Sequence, residues 1–394
     1  MLRHASIFSQ VIDLVDRNEF NRLVSEYQMD RYSKNFSTWD QFVSMLFCQL
    51  AQAKSLREIS GGLSCCLGKI RHLGMKDAPN KSTLSYANKT RSYEFYEALF
   101  YATLDYCQNN FPMKKKFRFK NKLLSLDSTT ISLCLSLFPW AKFRQTKGAV
   151  KVHMLLDHDG YLPVFAVITN GKVHDVNVAK TMTFPKKSII AMDRGYIDYK
   201  MLSDWTNQDV YFVSRLKSNA KYTIIENRVV PKNRNIIKDQ VIELLGDQTK
   251  KKDPLRLRLV VVDDPENNRT FELLTNHFEF GATTISAIYK DRWQIELFFK
   301  ALKQNLKIKT FVGTTENALL IQIWTALTAM LILKILKFKS ECDWSLSNLV
   351  AFLRWNLFTY KDLWQWLKDP YELSPGSARQ VQMLLPFQSF GRHY

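Results

Sequence analysis

No two cysteines in this 394-residue chain have the two-residue spacing of a metal knuckle or redox motif. The six present, Cys48, Cys65, Cys66, Cys107, Cys134 and Cys342, are scattered, and the seven histidines show no zinc spacing around them. All six are expected to be reduced packing residues of a cytoplasmic protein. Acidic residues are also scarce, with 37 Asp and Glu against 56 Lys and Arg, a formal charge of +19 and a pI near 9.5. That excess points to a polyanionic partner, either nucleic acid or an anionic membrane surface, unless it is a merely solvated basic surface. The N-terminal MLRHASIFSQVIDLV lacks the long apolar core of a secretion signal. The most apolar run, Ala318 to Leu333, is shorter than the ~20 residues of a membrane span, contains Gln322, and meets Lys334 and Lys337. A buried helix is expected there, no membrane partner is expected, and nucleic acid gains weight. No internal repeat stands out.

Hydrophobic residues at 46% and aromatics at 13% are ample for a buried core. The length suits two or three domains of about 150 residues. Residues 1–112 read as a helical domain. Ser82 is expected to cap a helix through TLSYANKTRSYEFYEALF. With SLREISGGLS before it, this makes a candidate helix-turn-helix carrying Asn88, Lys89 and Arg91, or an ordinary helix pair. The basic stretch Met113 to Lys122 is open to two readings, a solvated linker or a phosphate contact.

The pattern then turns to strands. KLLSLDSTTISL is a buried strand, and KVHMLLDHDGYLPVFAVITN a hairpin turning at His158-Asp159-Gly160. Asp175 can cap a short helix, SIIAMD is an apolar strand ending on Asp193, and a helix near Met201 precedes VYFVSRLK. Three strands, a helix, a strand, a helix and a strand is the order of a ribonuclease-H-like α/β core, a mixed sheet with helices on both faces. Residues 218–276 read as β-rich and basic, with a positive loop at Gln248 to Pro254, and helix returns from about Thr284.

Two-metal phosphoryl transfer needs carboxylates from separate rigid elements that converge on one point. Asp127 lies inside the apolar run LLSLDSTTI, where an ionised carboxylate is costly unless paired or bound to metal. Asp193 closes SIIAMD, where it could equally cap the next turn. On one helix over Tyr289 to Lys303, the residues Tyr289, Arg292, Glu296, Lys300 and Lys303 fall within roughly an 80° arc. Ile288, Ile295, Phe298 and Leu302 cluster opposite, so one face packs and the other carries an acid among bases. A solvated face with Glu296 paired to Lys300 is the plainer alternative, but it does not account for Tyr289 and Trp293 on the same stripe.

The spacing of Tyr289, Arg292, Glu296 and Lys303 resembles the Tyr-Arg-Glu-Lys signature of bacterial insertion-sequence transposases, the insertion-sequence-four type of DDE transposase. LDSTT at Asp127, MDRGY at Asp193 and LLTN at Leu273 to Asn276 are similar to the family's other blocks. The resemblance implies metal binding and catalysis by Asp127, Asp193 and Glu296, with Mg²⁺ as cofactor and Mn²⁺ as substitute. It implies DNA contacts by Tyr289, Arg292 and Lys303, with Lys300 a weaker candidate. The domains it implies are 1–112 for DNA-end recognition, 113–217 with 277–310 as catalytic core, 218–276 as a β-rich insertion, and 311–394 as a helical C-terminal region.

The implied activity is DNA transposition: binding of terminal inverted repeats, hydrolysis of phosphodiesters there, and joining of 3′ ends to target DNA, by a homodimer on double-stranded DNA. Some relatives stack a flipped base on a tryptophan in the insertion, but residues 218–276 contain none, leaving Tyr222 or Phe271 as substitutes. His174-Asp175 is either a catalytic accessory or a helix cap, while Asp157 and Asp159 are expected turn residues. The competing functions are a non-catalytic DNA-binding derivative and a simple ribonuclease-H-like nuclease.

Overall fold

The computed structural model describes residues 4–66, 69–111, 115–144, 147–232, 234–245, 255–340 and 344–371. Cys342, the loop at Gln248 to Pro254 and the first residues of the basic stretch, Met113 and Lys114, lie outside the described residues. The other five cysteines are free thiols.

Among the described residues, six α-helices open the chain: α1 (Ile7–Ile12), α2 (Arg17–Glu26), α3 (Thr38–Ala51), α4 (Leu56–Ser64), α5 (Lys81–Thr90) and α6 (Glu94–Asn110). Their starts follow from capping chemistry. Asp16 accepts from the amides of Asn18 and Glu19, and Ser37 and Asp40 form a reciprocal capping box on α3. The single helix expected from Ser82 is two helices with Arg91 between them, and Asn80, not Ser82, stands at the first start. Gly62 lies within α4 against the Phe47 ring, where a Cβ would come within 2.7 Å, so that glycine serves close helix packing.

Asn88 and Arg91 are corrected too, because the fold uses both side chains internally. Gln41 donates to Asn88 Oδ1 at 2.8 Å with Asn88 buried. The Arg91 guanidinium donates to the carbonyls of Ser37, at 2.9 Å, and Phe36, closing the loop before α3. Lys89 remains exposed.

Ten strands follow among the described residues, interleaved with two short α-helices: β1 (Leu123–Leu133), β2 (Lys142–Arg144), β3 (Lys147–Asp157), β4 (Pro163–Asn170), α7 (Asp175–Ala179), β5 (Ile189–Met192), α8 (Tyr199–Asn207), β6 (Tyr211–Arg215), β7 (Tyr222–Asn227), β8 (Ile236–Leu244), β9 (Arg256–Asp264) and β10 (Arg269–Thr275). All ten strands form one mixed sheet of order β2-β3-β1-β5-β6-β10-β9-β8-β7, with β4 also on β3. The β1–β5 and β5–β6 pairs are parallel and the other pairs antiparallel. The strands of the β-rich stretch thus continue the central sheet, joined where β10 pairs with β6. Arg258 on β9, 2% exposed, forks onto Asp239 of β8 and donates to the carbonyls of His277 and Phe280. That ties the added strands to the loop that leads into the next helix.

The chain then forms α9 (Ala282–Asp291), α10 (Trp293–Asn305), α11 (Glu316–Ser340), α12 (Leu346–Asn356) and α13 (Leu363–Lys368). α11 is long and apolar enough to cross a membrane, yet 89% of its most apolar window is buried inside the protein. Its buried amide Gln322 donates to the carbonyls of Lys307 and Thr310 and accepts from Val312 N–H, so its burial leaves no polar atom of that side chain unmet. α11 packs on α3 and α6, and the N-terminal and C-terminal helices share one core.

Candidate active site

β1 places Asp127 where its apolar run meets solvent: the strand is buried from Leu123 to Leu126 and half-buried at Asp127 and Ser128. β1 and β5 run parallel in a register that pairs Leu126 with Met192. Asp127 and Asp193, each one residue further on, therefore come side by side at the end of that ladder. Asp193 makes no side-chain capping bond to the turn it precedes, which removes the capping alternative.

The third acid comes from the helix pair. The expected single helix from Tyr289 to Lys303 is divided at Arg292, because the amide of Ile295 bonds to the Arg292 carbonyl only three residues back. Ile288, Ile295, Phe298 and Leu302 are buried as the pattern requires. Glu296 falls in the first turn of α10, where the helix dipole favours an anion. The Arg292 guanidinium bridges two elements, with Nη2 donating to Glu296 Oε1 at 2.7 Å and Nη1 3.5 Å from Asp127 Oδ2.

Burial pushes the Asp127 carboxyl up to about 6; the Ser128 amide and Arg292 oppose the shift, while Glu296 and Asp193 add to it. Arg292 thus pairs with two of the three acids, Asp127 and Glu296, through its two terminal nitrogens, while its buried Nε makes no hydrogen bond. Among the described residues no three acidic, histidine or cysteine side chains are already gathered as a closed metal cage, since Arg292 stands between two of the acids. The donor set is nevertheless hard oxygen, which suits a divalent ion such as Mg²⁺ or Mn²⁺.

Tyr289 and Arg292 line a cleft of about 520 Å³ together with Asp193, Arg215, Phe271 and the exposed Trp293. Arg215 and Arg269 both stand over the Phe271 ring, at 5.0 and 4.6 Å. Of the two aromatic substitutes, Phe271 is in this cleft, whereas Tyr222 begins the outermost strand. Lys303 donates to the Thr130 carbonyl at 3.0 Å and fastens α10 to β1, while Lys300 is exposed one turn beyond Glu296. Asp159 lies in the turn as expected, but Asp157 is the buried last residue of β3, accepting from Asp159 N–H at 2.9 Å and paired with Lys122.

Arg215, Arg269 and Asp175 were not legible as neighbours of the site. Asp175 does not cap α7; its carboxylate accepts from Ser128 Oγ at 2.9 Å and Lys151 Nζ at 3.1 Å, beside Asp127 on β1. The His174-Asp175 pair was the only sequence signal of it.

A basic mixed α/β chain that gathers acids from two strands and a helix beside arginines belongs among enzymes that work on polyanions. Its family is settled by its sequence: the family model described as transposase DDE domain matches residues 118–332, and the chain is a DDE transposase, an enzyme of DNA transposition. A second model, a domain of unknown function (DUF4372), matches residues 3–76. A protein of Geobacillus stearothermophilus named as a transposase for insertion sequence element IS5377 is 30% identical over 277 residues, 69% of this chain and 72% of that protein. One of Synechocystis named as a transposase for insertion sequence element IS4SA is 27% identical over 293 residues, 73% of this chain and 81% of that one. Among solved structures, the cryo-EM structure of piggyBac transposase in a synaptic complex with hairpin DNA aligns with 95% of this chain and 87% of that chain. The two chains share 13% identity at a TM-score of 0.45.

Proposed function

We propose that this transposase cuts its element at the terminal inverted repeats and joins the 3′ ends to target DNA, with Asp127, Asp193 and Glu296 as the catalytic, metal-holding acids. The observation that carries this is the register that sets Asp127 beside Asp193, with Arg292 linking Asp127 to Glu296. The order β3-β1-β5-β6, antiparallel then parallel, supports a ribonuclease-H-like core over residues 113–217 and 277–310. Residues 218–276 widen it, residues 1–112 recognise the ends, and 311–394 complete the helical packing. The spacing from Tyr289 to Lys303 supports the insertion-sequence-four type, and a homodimer holds two ends in the cytoplasm.

When bound, a pair of Mg²⁺ or Mn²⁺ ions supplies Lewis-acid activation of the attacking and departing oxygens. The three acids hold that charge on rigid elements. Arg292 forks toward phosphate once the acids are otherwise neutralised, and Tyr289 orients it. Lys300 adds charge along α10, and Lys303 keeps that helix on β1.

Asp127→Asn, Asp193→Asn and Glu296→Gln are each expected to abolish cleavage of end-bearing DNA and to weaken Mn²⁺ binding measured by electron paramagnetic resonance, with end binding retained. Near-normal cleavage and Mn²⁺ binding in any one variant would remove that residue from the site.

A further inference from the structure

A second polar cluster lies beneath the acids. Ser125 is on β1 two residues before Asp127, hence on the same face of the strand. Its Oγ is 2.6 Å from His158 Nε2, and His158 Nδ1 is 2.5 Å from Asp291 Oδ2. Asp291 is the last residue of α9, immediately before Arg292. The order serine, histidine, aspartate suggests a nucleophile, but Ser125 is 0% exposed, so no substrate reaches its hydroxyl.

The surroundings are those of a tie. Tyr161, in the same β3–β4 turn, holds a left-handed backbone at φ 53° without being glycine. Its hydroxyl donates to Asp291 at 3.2 Å, and its carbonyl accepts from Lys334 Nζ of α11 at 2.6 Å. Lys116 also pairs with Asp291. One buried carboxylate thus gathers bonds from the sheet turn and the chain before β1, and through Tyr161 it is linked to α11.

We infer that His158 and Asp291 are positioning residues for strand cleavage, fixing the junction of α9 and α10 so that Arg292 lands between Asp127 and Glu296. This rests on the reading of the carboxylate site given above. The reasoning is geometric. Arg292 follows Asp291 directly, so any slip of Asp291 moves the arginine backbone, and a misplacement near 1 Å costs about 100-fold in rate.

The test separates His158's two ring nitrogens. His158→Asn keeps an amide N–H where Nδ1 faces Asp291, whereas His158→Gln keeps one where Nε2 faces Ser125. His158→Gln and Asp291→Asn are expected to slow cleavage of end-bearing DNA by about tenfold or more, and His158→Asn to recover most of it, although both His158 variants melt alike. In an Arg292→Ala background, Asp291→Asn is expected to add little further loss, because the two act through one side chain. Equal losses in both His158 variants that track their melting temperatures, multiplicative losses in the double variant, or wild-type rates in His158→Gln and Asp291→Asn would each overturn the inference. Asp127→Asn serves as the control. If it cleaves normally the carboxylate reading itself fails, and if it is inactive while the His158 and Asp291 variants are normal, only the positioning role falls.

Discussion

Nη1 of Arg292 stands 3.5 Å from Oδ2 of Asp127, a contact between residues 165 positions apart that joins the helix junction to the central strand. The guanidinium is nearly buried, and its other arm is bonded to Glu296. In the free protein, Arg292 is therefore the countercharge of the acids, a different state from the phosphate grip expected of it on DNA.

Arg292→Ala removes a positive charge beside the acids, so Mn²⁺ or Mg²⁺ is expected to bind more tightly while cleavage falls. Calorimetric titration with Mn²⁺ and a cleavage assay read the two effects separately. On DNA, the loss of one phosphate contact lowers the slope of log affinity against log salt by about 0.9. Metal affinity that weakens together with cleavage would make Arg292 an organiser of the acids instead.

The Asp127 carboxyl titrates near 6 in the fold against 3.8 when unperturbed, because burial disfavours its charge. Between those values the folded protein retains a proton that the unfolded chain has released. Stability therefore falls as pH rises from about 4 to about 6, and the loss persists above that. Asp127→Asn is expected to be more stable at pH 8 without divalent ions, by on the order of 2–3 kcal/mol, and to lose that advantage below about pH 4. Added Mg²⁺ should stabilise the wild type more than the variant. Thermal melts across pH check this, and a variant melting no higher than wild type at pH 8 would contradict it.

Arg258 and Asp239 form a two-pronged pair, at 2.8 and 2.7 Å, that is 2% and 4% exposed. Arg258→Met leaves a buried carboxylate without its partner and is expected to cost about 3–5 kcal/mol in urea denaturation. Replacing both, with Asp239→Leu added, is expected to recover much of the loss, since no buried charge then remains. A single variant within about 1 kcal/mol of wild type would show that the pair is dispensable.

Arg91 separates folding from DNA contact in the N-terminal helices. Its guanidinium satisfies the carbonyls of Phe36 and Ser37, so Arg91→Ala is expected to lower the melting temperature without altering the salt dependence of DNA binding. The exposed Lys89→Ala is expected to leave the melt unchanged. A flatter salt slope for Arg91→Ala at unchanged stability would return Arg91 to the DNA surface.

Much of this protein is determined locally. The apolar runs ending near Asp127 and on Asp193, the period of buried residues from Ile288 to Leu302, and the spacing of Tyr289, Arg292, Glu296 and Lys303 are short-range patterns, readable because strand and helix periodicities reveal which side of an element meets the core. Capping of α3 by Ser37 and Asp40 is local as well. Tertiary structure decided the rest. The pairing of Leu126 with Met192, the Arg292–Asp127 contact and the continuation of the sheet through β10 join residues far apart in sequence. The same holds for polar side chains that looked free: Asn88, Arg91 and Lys303 each have their partner on another element. A periodicity reports which face of an element is buried. Which partner that face meets is set only when the whole chain packs, because long-range pairing leaves no local pattern.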